Sequence, residues 1–338
     1  MSEIRYDKLH NKYVIIAPER LHRPNLVKQE PAESEKENCP FCEGHEDFTP
    51  PEIFALRDNN RANAPGWRTR VVPNLYKAVQ IEEENISQRD GFFEYVKGFG
   101  AHEIIIDTPC HECRFSALSP KEIFDWLQTI HARITDLTKD KRIISLNIFK
   151  NSGKNAGASQ EHPHTQIIAL PVMSKNALEF LQRNQAYYSV HGRGIVEDIL
   201  HNERVAKIRI INEVGMFTAY CPYASFFSFE VIIAPGKVLS SLNKCSQEEL
   251  ADLAQLIKNV FVMLDIQLDS YDYNISFHIA PVNENFENEK YMDDIDKNFS
   301  FYLRIMPRIY TLAGFEISAE MAINGIEPEN CAKLLRGK

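Results

Sequence analysis

The sequence predicts an α+β protein of two related halves, and three observations point there. Short runs rich in β-branched residues alternate with longer stretches of helical periodicity. At 338 residues the chain is too long for one ordinary core and suits two domains of similar size, or one large α/β unit. The second half also repeats the first. Glu103-Ile-Ile-Ile-Asp107 returns as Glu230-Val-Ile-Ile-Ala234, the helix start Ser119-Pro-Lys-Glu122 as Ser246-Gln-Glu-Glu249, and Leu146-Asn-Ile148 as Tyr273-Asn-Ile275, each 127 residues on. One separation shared by three elements predicts two copies of a strand-helix-strand unit.

Taken in order, Arg5-Tyr6-Asp7 through Tyr13 to Pro18 alternates polar and β-branched residues like a hairpin. Arg20 and Arg23 follow at once, candidates for an anion clamp, although a single arginine is more often a solvated surface residue. From Val27 to Asn38 the chain is charged and reads as a loop leading to Cys39-Pro-Phe-Cys42, a common zinc half-site. Trp67 to Ala78 gives a strand and turn, and short strands follow at Phe92 to Val96 and Glu103 to Asp107. Ser119 as N-cap, Pro120 and a stripe of Ile123, Trp126, Leu127, Ile130, Ile134 and Leu137 predict a helix. Ile144 to Phe149 returns as a strand.

The chemistry gathers in Glu161-His162-Pro163-His164-Thr165-Gln166, just before the apolar run Ile167 to Leu170. Proline holds His162 extended, and alternation then points His162, His164 and Gln166 to one face. The loop Asn151 to Ser159, rich in small residues, permits close backbone approach to a phosphate. Two imidazoles and an amide beside such a loop suit work on a phosphate ester; the plainer reading is a polar rim strand with one structural histidine. Adding 127 to His162 and His164 reaches Glu289 and Tyr291, so the second half lacks the histidine pair and the sequence predicts one site per chain. His278, alone on an apolar strand, reads as a satisfied core residue.

Apolar content of 44% and charged content of 25% are those of a soluble globular protein. No apolar stretch reaches membrane-spanning length and the start lacks a signal-peptide pattern, which predicts a cytoplasmic protein without a membrane partner. A net charge of −9 argues against a nucleic-acid coat. Four of the seven cysteines form two Cys-x-x-Cys pairs, Cys39/Cys42 and Cys110/Cys113, a spacing that favours a metal over disulfides in that compartment.

The ordered set Arg5-Tyr6, Val14 to Pro18, Arg20, Arg23-Pro24, Cys39-Pro-Phe-Cys42, Asn151 to Ser159, His162-Pro-His-Thr-Gln166 and Ala313-Gly-Phe-Glu316 resembles the galactose-1-phosphate uridylyltransferase family of the histidine-triad superfamily. The resemblance covers nearly the whole chain. It implies two histidine-triad-like halves, residues 1–175 with the zinc site and catalytic histidine and residues 176–338, each an antiparallel sheet with packed helices. It implies a nucleophilic His164 that attacks the α-phosphorus of a nucleotide sugar, releases a sugar 1-phosphate and passes the nucleotide to a second phosphate acceptor. Gln166 would donate to a nonbridging oxygen, Arg20 and Arg23 would hold phosphates, and Asn74 would lie near the nucleoside. Asn151, Gly157, Ser159 and Glu316 complete the substrate contacts. Zinc would be held by Cys39, Cys42, His111 and His162, with a four-cysteine site through Cys110 and Cys113 as the alternative left open by spacing. The family also implies a homodimer.

The chain departs from the family pattern at three places. Thr165 stands where a glycine or small residue is usual, which predicts an altered fit around the phosphate. Tyr302 and Arg304 occupy the positions of a histidine pair that holds a second metal in some members, and that site is expected to be absent. The family's C-terminal lysine and glutamine find no match. In these respects the chain looks closer to the branch that includes plant ADP-glucose phosphorylase. Two rivals to a hexose-1-phosphate uridylyltransferase follow: an adenylyl-transferring phosphorylase with phosphate or another oxyanion as acceptor, and a zinc-stabilised nucleotide-binding protein without catalysis.

Overall fold

The computed structural model describes residues 2–18, 38–58, 61–284, 292 and 294–337. Arg20 and Arg23 lie outside them. The strands are β1 Glu3–Asp7, β2 Lys12–Ile16, β3 Phe54–Arg57, β4 Trp67–Pro73, β5 Ser87–Asp90, β6 Phe93–Val96, β7 Ala101–Ile106, β8 Ser145–Ser152, β9 His164–Leu170, β10 Ile210–Val214, β11 Phe217–Tyr220, β12 Val231–Pro235, β13 Tyr273–His278, β14 Tyr302–Pro307 and β15 Ala322–Asn324. The helices are α1 Pro120–Leu137, α2 Lys175–His191, α3 Ile195–Ala206, α4 Gln247–Leu268, α5 Ile295–Asn298, α6 Gly314–Ala319 and α7 Pro328–Leu335.

The two long core helices start where their caps dictate. Ser119 with Glu122 and Ser246 with Glu249 each close a reciprocal capping box, satisfying backbone donors that the first helical turn leaves unpaired. Behind each cap runs an apolar stripe at helical spacing, Ile123 to Leu137 in α1 and Leu250 to Leu264 in α4. The two stripes pack on each other and on one face of the sheet, so a single core joins residues of both halves.

That sheet has ten strands in the order β10-β11-β12-β14-β13-β8-β9-β7-β4-β3, and every pairing is antiparallel. Each half contributes five strands, and the second half's order mirrors the first. At the junction Phe149 pairs with Ser276, residues 127 apart, while Ile148 and Lys150 pair with Phe277 and Ile275. Equivalent positions therefore exchange across a pseudo-twofold axis through the Phe149–Ser276 pair. Sequence repetition alone did not show that the two sheets would fuse edge to edge.

Strand register corrects two details of the repeat. Phe149 pairs with Gln166, and its counterpart Ser276 pairs with Arg304. The counterpart of His164 is thus Tyr302, not the Tyr291 that adding 127 reaches, and that of Gln166 is Arg304, because the connection from β13 to β14 is longer than that from β8 to β9. In β7, Ile104 pairs with Gln166, and in β12 it is Ile232 that pairs with Arg304. The Glu103/Glu230 match is therefore one residue out of register, which reverses the face. Glu103 points to α1 and takes two hydrogen bonds from Arg133, at 2.8 Å each, whereas Glu230 pairs with Arg304 across the other face.

On that other face α2 and α3 cover the second half, with Ile195, Val196 and Leu200 against Tyr220, Ile232 and Tyr302. Over the first half Phe41 packs with Trp67, Val72, Ile104 and Ile106. The N-terminal hairpin β1-β2 takes β15 as a parallel neighbour, joining the two ends of the chain. None of the described helices is long and apolar enough to cross a membrane.

Candidate active site

Alternation along β9 sorts the motif by face. His164 and Gln166 stand on the face opposite α1, while Thr165 is fully buried on the α1 side and accepts a hydrogen bond from Trp126 Nε1 at 2.9 Å. The expected change of fit around the phosphate does not follow from Thr165, since its side chain points away from that surface. His164 is itself 4% exposed. Its Nδ1 donates to the His162 carbonyl at 2.8 Å, which fixes the tautomer and leaves Nε2 with a free lone pair. Burial lowers the His164 pKa and the nearby Lys150 ammonium adds to the effect, so the ring stays neutral. Lys150 supports this strand from behind, donating to the His164 carbonyl at 3.2 Å and pairing with the buried carboxylate of Asp107 at 2.7 Å.

His162 faces a separate cluster. The donor atoms of Cys39, Cys42, His111 and His162 lie within 4.8 Å of one another. Cys42 Sγ is 3.2 Å from His111 Nδ1 and 3.7 Å from His162 Nδ1, and Cys39 Sγ is 3.7 Å from His162 Nδ1. A tetrahedral zinc bonded at ordinary lengths separates its sulfur and nitrogen donors by roughly 3.5 Å, so the set fits a metal ion. His162 Nε2 donates to the Thr108 carbonyl at 2.8 Å, which turns Nδ1 into the cluster. Burial lowers its pKa to about 4, the neutral state that a ligand needs.

Cys110 and Cys113 do not join the cluster. They are joined to each other in a disulfide, which corrects the expectation that both Cys-x-x-Cys pairs bind metal. The turn between them directs the His111 ring inward and leaves Cys110 on the surface. Phe41, carried between Cys39 and Cys42, lays its ring 5.5 Å from that of His164. The cluster thus steadies the proposed nucleophile twice, through the backbone of His162 and through Phe41.

Asn151 lies two residues beyond Phe149, the last β8 residue paired with β9, and alternation puts it on the face that carries Gln166 and His164. Its Oδ1 accepts from Asn274 Nδ2 at 2.8 Å, which leaves its own N–H groups as donors. Gly153, at φ 85°, begins the turn that follows, and an added Cβ would lie 1.7 Å from Asp272 Oδ1. Asp272 Oδ2 accepts the Asn155 N–H at 2.6 Å, pinning the loop. Gly157 ends the turn in the left-handed region, and Ser159 is exposed just beyond.

Asn74 lies at the end of β4, where its Oδ1 accepts the Tyr76 N–H at 2.9 Å and its Nδ2 is 3.1 Å from His102 Nε2. Glu316 caps the start of α6, accepting the Ala313 N–H at 3.1 Å, and α6 packs on β15. Among the described residues no hydrogen bond joins Glu316 to β9. Sequence reasoning missed His102, Lys150, Asp107 and Asn274; their role lies in strand pairing, and only the alternation that groups His102 with Ile104 and Ile106 hinted at it. His278 donates or accepts at Ser276 Oγ, 3.0 Å away, and stacks on Tyr302 with centroids 4.4 Å apart.

The description "Galactose-1-phosphate uridyl transferase, N-terminal domain" matches residues 1–174, and its C-terminal counterpart matches residues 180–334. The chain belongs to the galactose-1-phosphate uridylyltransferase family. It is a nucleotidyltransferase of that family. An ADP-glucose phosphorylase from Arabidopsis thaliana is 30% identical over 99% of this chain and 92% of its own length. A galactose-1-phosphate uridylyltransferase from Thermotoga maritima is 25% identical, covering 99% of this chain and 98% of its own. The crystal structure of an Arabidopsis ADP-glucose phosphorylase with bound ADP-glucose superposes with a TM-score of 0.83 at 29% identity, covering 100% of this chain and 99% of that one.

Proposed function

We propose that this family member moves a nucleoside monophosphate from a nucleotide sugar to a phosphate acceptor through a covalent nucleotidyl-His164, with an adenine nucleotide sugar as donor and inorganic phosphate or a related oxyanion as acceptor. The observation that carries the covalent step is the buried, neutral His164 whose Nδ1 is held by the His162 carbonyl. Nε2 attacks the α-phosphorus, a P–N bond forms, and the P–O bond to the leaving sugar 1-phosphate breaks. An oxygen of the acceptor then attacks the same phosphorus and the P–N bond breaks, regenerating His164. Gln166 and the N–H groups of Asn151 stabilise the charge that develops on the nonbridging oxygens. A glutamine cannot protonate a leaving group, which favours transfer over hydrolysis.

Similarity to ADP-glucose phosphorylase supports the adenylyl reading. Transfer between UDP-glucose and a hexose 1-phosphate is the second reading, supported by the Thermotoga maritima relative. Arg20, Arg23, Asn74, Gly157, Ser159 and Glu316 are proposed as substrate contacts, the last reached through a partner subunit of a homodimer. Zinc on Cys39, Cys42, His111 and His162 would be structural, since four protein donors close its coordination shell.

The test is a panel of radiolabelled nucleotide sugars. ADP-glucose is expected to label the wild-type protein covalently, UDP-glucose to label it weakly, and His164→Ala to abolish labelling. Labelling of His164→Ala at the wild-type level would sink the covalent mechanism. Preferential labelling by UDP-glucose would restore the uridylyl reading. Nucleotide binding without any exchange would leave a binding protein that has lost catalysis.

A further inference from the structure

We propose that His102 is a positioning residue that decides which end of the Gln166 carboxamide faces the reacting phosphate, and that it ties this choice to the loop 74–78. A backbone N–H can only donate. The backbone N–H of Ala78 approaches His102 Nδ1 at 3.2 Å, so Nδ1 accepts and the imidazole proton sits on Nε2. Nε2 is 3.0 Å from Gln166 Oε1 and donates to it. With its oxygen engaged, Gln166 turns its NH₂ group away from His102, free to donate to a phosphate oxygen. The Tyr76 N–H fixes Asn74 Oδ1 in the same way, so Asn74 Nδ2 meets the Nε2–H donor to donor at 3.1 Å; the opposite tautomer would satisfy Asn74 and set both Ala78 and Gln166 against their partners, so the Nε2–H form satisfies more of the three contacts.

A carboxamide has nearly equal ends, and without His102 both orientations of Gln166 become accessible. In one of them an oxygen instead of a donor meets the charge developing in the transition state. His102 also receives the Asn74 backbone N–H at its carbonyl, 2.8 Å away, so one residue links the loop proposed to meet the nucleoside to the group proposed to stabilise the phosphate. The second half carries Glu230 at the corresponding place, paired with Arg304 at the position of Gln166.

This inference rests on the transfer chemistry proposed above, and single-turnover kinetics separate the two. The full chain is mixed with the nucleotide sugar that labels the wild type, quenched on the millisecond scale, and compared with His102→Leu, His102→Asn, Gln166→Ala and the two double variants, with thermal midpoints recorded for each. His102→Asn keeps an acceptor for Ala78 and cannot reach Gln166, so it removes the orientation and retains the loop anchor. Both single His102 variants are expected to slow nucleotidyl-enzyme formation by about tenfold, within the ~10²–10³-fold lost with a whole oxyanion donor, with little change in apparent dissociation constant. In the Gln166→Ala background neither substitution is expected to slow the reaction further. A wild-type rate in His102→Asn, or an equal loss with and without Gln166, overturns the proposal while transfer stands. Absence of labelling in the wild type overturns both.

Discussion

Thr165 and Lys150 show how neighbouring side chains divide between chemistry and scaffold. Thr165 adjoins the proposed nucleophile in sequence, yet its hydroxyl serves Trp126 on the helix side. Thr165→Val is therefore expected to leave turnover near the wild-type value while costing about 1–3 kcal/mol for the buried indole N–H left unpaired. Chemical denaturation and steady-state kinetics check this together; a tenfold loss of turnover with unchanged stability would contradict the face assignment. Lys150→Met is the opposite case. It strands Asp107 without its cation at a site where the two side chains are 0% and 2% exposed, a loss of roughly 3–5 kcal/mol. Adding Asp107→Asn is expected to recover part of that stability, and a failure to recover any would mean the pair is not the source of the cost. At this scale the sequence made His162, His164 and Gln166 legible, because a period of two sorts residues on any strand. It hid His102 and Lys150, since strand pairing joins positions far apart in the chain.

The element that carries the chemistry is β9, held at its start by the donor cluster. Cys39, Cys42 and His111 come from loops and only His162 adjoins the strand, so the cluster fastens two irregular segments to a regular one. Metal loss is expected to free Phe41 and the His162 carbonyl together, and activity and thermal stability to fall in parallel. Elemental analysis is expected to find one zinc per chain in the wild type and less in Cys39→Ser, with a thermal midpoint lower by several degrees. A fully active, metal-free Cys39→Ser protein would show that the strand needs no such anchor. Spacing suggested the metal but not which residues would bind it. Two Cys-x-x-Cys pairs look alike in sequence, and only the direction of the His111 turn separates ligand from disulfide. The capping boxes were readable because a helix start is a local event. The helix α2 was not, since it buries only Leu181 and Asn184 and carries a weak apolar stripe.

Across the whole molecule, the repeat announced two halves and the sheet made them one body. The β8–β13 ladder and the α1–α4 contact lie at the pseudo-twofold axis, where Ile148, Ile275, Phe277, Trp126 and Phe261 share one core. Neither half can keep that core dry alone: residues 1–175 would expose the β8 edge and the α1 stripe, and the remainder would expose β13 and α4. Both family matches divide the chain near residue 175, and that boundary is proposed to mark a duplicated unit and not an independent folding unit. Calorimetry of the full chain is accordingly expected to show one transition whose calorimetric and van't Hoff enthalpies agree. Residues 1–175 expressed alone are expected to aggregate or to bind the separately expressed second half. Two resolved transitions, or a soluble and cooperatively folded first half, would show that the fused sheet is a docking of finished domains. The catalytic face would then be set by residues 1–175 alone, without the Asn274 contact that orients Asn151 from across the axis.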